Sequence, residues 1–445
     1  MDLTLTPEDL RHLRTEFAAN PAYRVAQNAV TSTSVDAVAL DRQIIVETDH
    51  SMSHLLDDWK VTNQKKSGRC WLFAGLNLLR PGAMKAMNVK DFEFSQNHIM
   101  FWDKLERANY FLTAIIETRD REVDDRTVAH LLSTVADDGG QWNMFVALVQ
   151  KHGLVPKSAM PETQSSSETM KMNGVLRRIL REGARTLREL EGADEDGLDK
   201  ARRQVLATVH RVLTIHLGTP PESFDWQWTD KDRGFHRDGV LTPLQFAERY
   251  VDLPIEDYVC LVHDPRSTSP IGRTFTVEYL GNVVGGAPVR YLNVEVDAMK
   301  KIAADLIVSG EPVWFGCDVG KMMSMDLAVW DAALYDYASV YDHEVSLDKA
   351  ARLVFHDTQM THAMLFTGVD LVDGTPRRWR VENSWGEEKG LKGFWTMNDS
   401  WFDEYVFEIA APKRLLPAEL LTALDDEPIV LPAWDPMGAL AGGSV

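Results

Sequence analysis

Hydrophobic and polar positions divide the chain into a helical front, a charged middle and a β-patterned back. "LTPEDL" offers Thr6 as N-cap, Pro7 at the first helical position and acids in the first turn, so a helix opens there. Residues 1–60 read as helix and loop. From Trp71 to Leu79 the apolar positions Trp71, Leu72, Phe73, Ala74, Leu76, Leu78 and Leu79 leave almost no polar face. Periodicity alone allows a buried helix or a buried strand. Ser67 and Gly68 ahead of the run and "RPG" at 80–82 behind it favour a helix that Pro81 stops. "FSQNHIMFWDKLERANYFLTAIIE" predicts a second helix, with Ser95 as its cap.

Residues 160–255 are rich in charge and helix formers, as in "TLRELEGADEDGLDKARRQVLATVHRVLTIHLG", and read as an insertion between two parts of a core. Turn signals and the tryptophan-rich "FDWQWTDKDRG" follow, and then Thr242 and Pro243 open another helix. From 256 to 411 the pattern turns to short β-branched and aromatic runs: "YVCLVHD", "RTFTVEYL", "RYLNVEV", "PVWFGCDVG", "HAMLFTGVDL", "RWRVENSW" and "GFWTMND". A helical half (61–159) and a sheet-rich half predict an α+β protein with a cleft where the halves meet. Residues 412–445, proline-punctuated and acidic, read as an arm.

Composition narrows the function classes. The 445 residues are 44% hydrophobic and 26% charged, as in ordinary globular proteins. Charges or prolines interrupt every apolar run before 18 residues, so no membrane partner is expected, and the N-terminus carries no secretory pattern. With 47 Lys and Arg against 67 Asp and Glu, the net charge of −20 makes a nucleic-acid partner unexpected. Cys70, Cys260 and Cys317 show no paired spacing and no CxxC, which fits a reducing cytoplasm.

One stretch carries chemistry. In "NQKKSGRCWLFAG" Cys70 stands at the mouth of the buried helix, where backbone amides stabilise a thiolate. Attack on a carbonyl creates an oxyanion, for which the Cys70 N–H and the Gln64 side-chain amide are candidate donors. His362, at the start of "HAMLFTGVD", is the candidate base. Asn383, at the end of "VENSW", can fix its tautomer without adding a buried charge, with Trp385 screening that bond.

"QKKSGRCWLFAG", "HAMLFTGV" and "VENSWG" resemble the papain-like cysteine peptidases, in their intracellular branch of bleomycin hydrolase and bacterial aminopeptidase C. "FSQNHIMFWDKLERANYFL", "DGGQWNMFVALVQKHGLVPKSAMPET" and the ending "LPAWDPMGALA" extend the resemblance over nearly the whole chain. It implies a papain-like fold with a large helical insertion at 160–255 that supplies subunit contacts, and a C-terminal arm at 412–445. It assigns Cys70 as nucleophile, His362 as acid/base, Asn383 as its orienter and Gln64 as oxyanion donor. The implied activity is a cysteine aminopeptidase acting on peptides through a thioester. No metal or organic cofactor is needed, and the implied assembly is a barrel-like homohexamer.

Competing readings are an endopeptidase of the same chemistry, acyl transfer on non-peptide amides, and a nucleic-acid-binding barrel. In the branch the arm's terminal carboxylate faces the substrate's amine. The matching ending stops here at Ala441, with Gly442–Val445 beyond. The expectation is that the enzyme removes those four residues itself, leaving Ala441 to bind the substrate N-terminus.

Overall fold

The computed structural model describes residues 3–56 and 59–440. The first helix runs Pro7–Ala19 behind the expected cap: the Thr6 hydroxyl accepts from the Asp9 N–H at 3.2 Å, and the Asp9 carboxylate accepts from the Thr6 N–H at 2.8 Å. It and the next helix, Pro21–Val30, bury none of their residues.

The Cys70–Met87 helix is the buried helix of the sequence reading, but Pro81 lies inside it and does not end it. A proline there removes one helical hydrogen bond and costs ~3 kcal/mol in an isolated helix. Beyond it Ala83 and Met87 are buried, and the Arg80 guanidinium, itself 1% exposed, donates to the Lys60 carbonyl at 2.6 Å. Tertiary packing therefore carries the helix one and a half turns further, until Asn88 takes a left-handed conformation at φ 53. The next long helix, Gln96–Glu117, starts at Ser95, whose hydroxyl accepts from the His98 N–H at 3.0 Å.

Within 160–255, helices Met170–Glu189 and Glu195–Leu217 pack on each other and on Gln96–Glu117, burying Leu176, Leu180, Leu187, Val209 and Leu213. "FDWQW" is not merely a turn region. It is the strand Phe224–Thr229, paired with Phe235–Leu241 as a hairpin whose Trp226 and Trp228 rings stack at 5.8 Å. The Asp230–Gly234 turn was legible in the sequence, but the strand before it was masked by its polar alternate positions.

The described residues hold one sheet of twelve strands, eleven from the stretch 258–431 and one, His54–Leu55, from the N-terminal segment, paired with His362–Val372. All seven β-patterned runs contribute to it. At its centre His362–Val372 lies between Val313–Cys317 and Thr375–Glu382, with His362 opposite Cys317 and Leu365 opposite Glu382. Alternation along these strands serves two cores. Trp314, Ala363 and Leu365 face the cluster holding the Cys70 helix, while Phe315, Met364 and Phe366 face the one holding helix Val296–Val308.

The arm is more tightly built in than its proline-rich sequence implied. Ile429–Leu431 adds a parallel strand beside Thr274–Val277. Asp435 accepts two hydrogen bonds from Arg266, at 2.8 and 3.1 Å, and the Arg126 guanidinium sits 4.1 Å over the Trp434 ring.

Candidate active site

Cys70 is the first residue of its helix, with Arg69 as the preceding cap. Arg69 offers no side-chain cap; its guanidinium makes a two-pronged pair with Glu162 at 2.9 and 2.7 Å, which fixes the chain entering the helix. Gly68 is held by its N–H donating to Asp138 at 3.2 Å, and Trp71 by its ring N–H donating to the Asp138 carbonyl at 2.7 Å. Burial works to raise the Asp138 pKa. Lys104 at 2.6 Å, with Thr169 and Asn173, overcomes that and holds it well below the usual carboxylate range. Asp138 thus clamps both sides of Cys70, Gly68 through its ionised carboxylate and Trp71 through its main-chain carbonyl. Asp138 opens the stretch "DGGQW", where no local pattern marks it as a support of Cys70.

The helix meets the sheet at the head of the His362 strand, and the thiol lies within hydrogen-bonding reach of the Ala363 backbone amide. The His362 ring pairs through Nε2 with Asn383 Oδ1 at 2.9 Å. That oxygen also accepts from the Ser384 N–H at 2.7 Å, which fixes the amide's orientation. An acceptor facing Nε2 requires Nε2 to carry the hydrogen, so in the neutral ring Nδ1 holds the lone pair. Nδ1 is buried with no hydrogen-bond partner. The Trp385 ring packs 5.0 Å from the imidazole, covering the Asn383 bond from one side.

Gln64 is 3% exposed and firmly held. Its backbone N–H donates to the Ser384 carbonyl at 2.8 Å, and the Ser384 hydroxyl donates to Gln64 Oε1 at 2.7 Å. One amide N–H of Gln64 donates to the Ser67 carbonyl at 2.6 Å, leaving the second for another acceptor. Ser384 was inside the quoted "NSWG", but nothing local marks it as the residue that aims Gln64 from 320 positions away.

Electrostatics depart from the expected low-pKa thiol. Burial pushes Cys70 up to about 12, although the Ala363, Trp71 and Cys70 amides pull the other way. Burial likewise moves His362 down to about 4, against the Asn383 bond. Both groups are fully buried, and desolvation outweighs the helix terminus. Desolvation thus works against a lone thiolate and against a lone imidazolium at this site. Cys260 and Cys317 are also buried, and none of the three thiols is in a disulfide.

A cleft of ≈ 1110 Å³ opens beside these groups, lined by Gln64, Gly68, Asp138, Trp385, Ala439 and Leu440 among others. Gln141 donates to the Ala439 carbonyl at 2.7 Å, so the arm enters the cleft in a fixed position. Ala441 and Gly442–Val445 lie outside the described residues.

The sequence model of the Peptidase C1-like family matches residues 4–438. The chain belongs to that family. It is 42% identical to bleomycin hydrolase of Gallus gallus, over 98% of this chain and 99% of that protein. It is also 42% identical to aminopeptidase C of Listeria monocytogenes, over 99% and 100%. The crystal structure of PepW from Lactobacillus rhamnosis superposes with a TM-score of 0.97 at 43% identity, covering 99% of this chain and 100% of that one. The α+β fold is thus the papain-like fold of this family.

Proposed function

We propose that the chain is a cysteine aminopeptidase that removes N-terminal residues from peptides through a thioester on Cys70. The observation that carries the reading is the His362–Asn383 bond at 2.9 Å, which leaves Nδ1 as the free basic nitrogen at the head of the strand whose Ala363 amide meets the Cys70 thiol.

The chemistry follows from these atoms. Nδ1 takes the thiol proton as Cys70 Sγ bonds to the carbonyl carbon of the first peptide link. The two charges form together, so each offsets the desolvation of the other. The carbonyl oxygen becomes an oxyanion facing the Cys70 N–H and the second Gln64 N–H. Its collapse breaks the C–N bond, and Nδ1–H gives its proton to the leaving amine. Water then gives a proton to Nδ1 and its oxygen to the thioester carbon. The carboxylic acid leaves and Cys70 regains its proton.

Specificity for a free N-terminus follows from the arm. Ala439 and Leu440 line the same cleft as Gln64 and occupy room that a longer chain would need to cross it. The residue that meets the amine is proposed to be Ala441. The test compares a free-amine peptide with its N-acetylated twin, using Cys70→Ala as the inactive control.

A homohexamer is the proposed assembly, and the cytoplasm the proposed location. Helices Pro7–Ala19 and Pro21–Val30 bury nothing within the chain while exposing Leu10, Leu13, Phe17 and Val25. That apolar surface fits a contact between copies. Among the described residues no helix is long and apolar enough to cross a membrane.

A further inference from the structure

Glu382 stands one residue before Asn383 at the end of its strand, and its side chain is 2% exposed. The Trp59 ring N–H donates to Oε2 at 2.7 Å, and the Asn77 amide donates to Oε1 at 2.8 Å. The same Asn77 nitrogen also donates to the Thr62 hydroxyl at 2.9 Å. Three chain segments therefore converge on one carboxylate. Asn77 lies two turns along the Cys70 helix. Trp59 and Thr62 lie on the segment leading into Gln64, which is zipped to Ser384–Gly386 by Gln64 N–H to Ser384 O at 2.8 Å and Gly386 N–H to Thr62 O at 3.1 Å. Glu382 itself continues into Asn383.

We infer that Glu382 is a positioning residue for the peptidase reaction: its carboxylate sets the spacing between the Cys70 helix, the Gln64 segment and the Asn383 strand. This rests on the cysteine-peptidase reading above.

Stability alone does not account for the group. Burial pushes Glu382 up to about 7, against the lowering influence of Arg80, Trp59, Asn77 and Arg380, so its ionised form costs folding free energy at neutral pH. An apolar side chain of similar volume would avoid that cost. What an apolar group or an amide lacks is the bonding pattern. Both partners present N–H donors, and only a carboxylate, the form that prevails above pH 7, offers a full acceptor at each end. A glutamine must turn its own NH2 toward one of them.

The bonding logic supplies its own rescue. Glu382→Gln leaves one donor facing a donor. Adding Asn77→Asp moves the carboxylate across the contact. The introduced amide then accepts from Trp59 and donates to the new carboxylate on the Cys70 helix, while the Thr62 hydroxyl donates in place of accepting. Trp59→Phe removes one donor from the other side and serves as an independent variant.

The experiment measures kcat, KM and thermal melting on a free-amine peptide for wild type, Glu382→Gln, Trp59→Phe and the Asn77→Asp/Glu382→Gln double variant. Iodoacetamide alkylation of Cys70, followed by mass, gives a second reading that needs no turnover. Glu382→Gln is expected to lower kcat by roughly 10–100-fold, the scale of an ångström-level misplacement, with KM nearly unchanged and alkylation slowed. The double variant should recover both to within a few-fold. Wild-type kcat and alkylation in both Glu382→Gln and Trp59→Phe would overturn the inference, as would a folded double variant as impaired as the single one. A wild type inert on peptides refutes the peptidase reading instead. The alkylation series then still decides whether Glu382 positions Cys70.

Discussion

At the residue scale the site is built from groups whose charged forms desolvation disfavours. Burial pushes Cys70 up and His362 down, so a thiolate and an imidazolium are each best stabilised when they form together. The oxyanion donors then carry much of the stabilisation. Gln64→Ala should lower kcat by about 10²–10³ with little change in KM, the usual loss for one such donor. A Gln64→Ala enzyme with wild-type kcat would place the oxyanion elsewhere. The reacting groups themselves were legible because their residue types are scarce: Cys70 before an apolar run, His362 opening a strand, Asn383 closing one, Gln64 just upstream. Their supports were not. Ser384, Asp138 and Glu382 are common polar residues whose partners lie tens to hundreds of positions away, and no local pattern points across such a gap.

At the scale of elements, local signals placed helix starts and strand cores well. Thr6, Ser95 and Thr242 all cap helices where expected, because capping is a contact within three residues. Pro81 misled, since its local penalty is smaller than the tertiary burial of Ala83 and Met87. The strands Val406–Pro412 and Ile429–Leu431 went unread: the first sits at the sheet's centre and the second at its edge, and pairing rather than pattern makes them strands. The second has a functional consequence, since it anchors the arm upstream of Trp434. The Arg126–Trp434 contact at 4.1 Å is worth ~0.5–1 kcal/mol. Trp434→Ala should therefore raise turnover of N-acetylated relative to free-amine peptides by a factor of a few. An unchanged ratio would mean that the arm is not what closes the cleft.

At the scale of the whole molecule, the sheet carries buried acids that couple stability to pH. Burial pushes Glu408, on the central strand, from 4.5 up to about 8, with Cys260 opposing. Between those values the folded chain holds a proton that the unfolded chain releases, so this contribution to stability falls as pH rises. The His362 contribution runs oppositely, and its slope fades about one unit above its ordinary 6.5, where the ring is neutral in both states. The Glu408 slope is at most about 1.4 kcal/mol per pH unit, and the His362 contribution is shared by wild type and Glu408→Gln and cancels between them. Lys349, which burial lowers from 10.5 to about 7, and Glu382 also titrate in that window, but equally in both proteins. In denaturant unfolding across it, the stability of wild type relative to Glu408→Gln should therefore fall as pH rises. Equal slopes would contradict a protonated Glu408 in the fold.

The central claim is that the cleft selects a free N-terminus for attack by Cys70. The most direct measurement is the ratio of kcat/KM for a free-amine peptide to that for its N-acetylated twin. A charge-assisted contact of about 1.5–3 kcal/mol to the amine predicts a ratio of roughly 10–150, and Cys70→Ala should cleave neither peptide. Equal turnover of the two peptides by wild type would contradict the account and identify an endopeptidase.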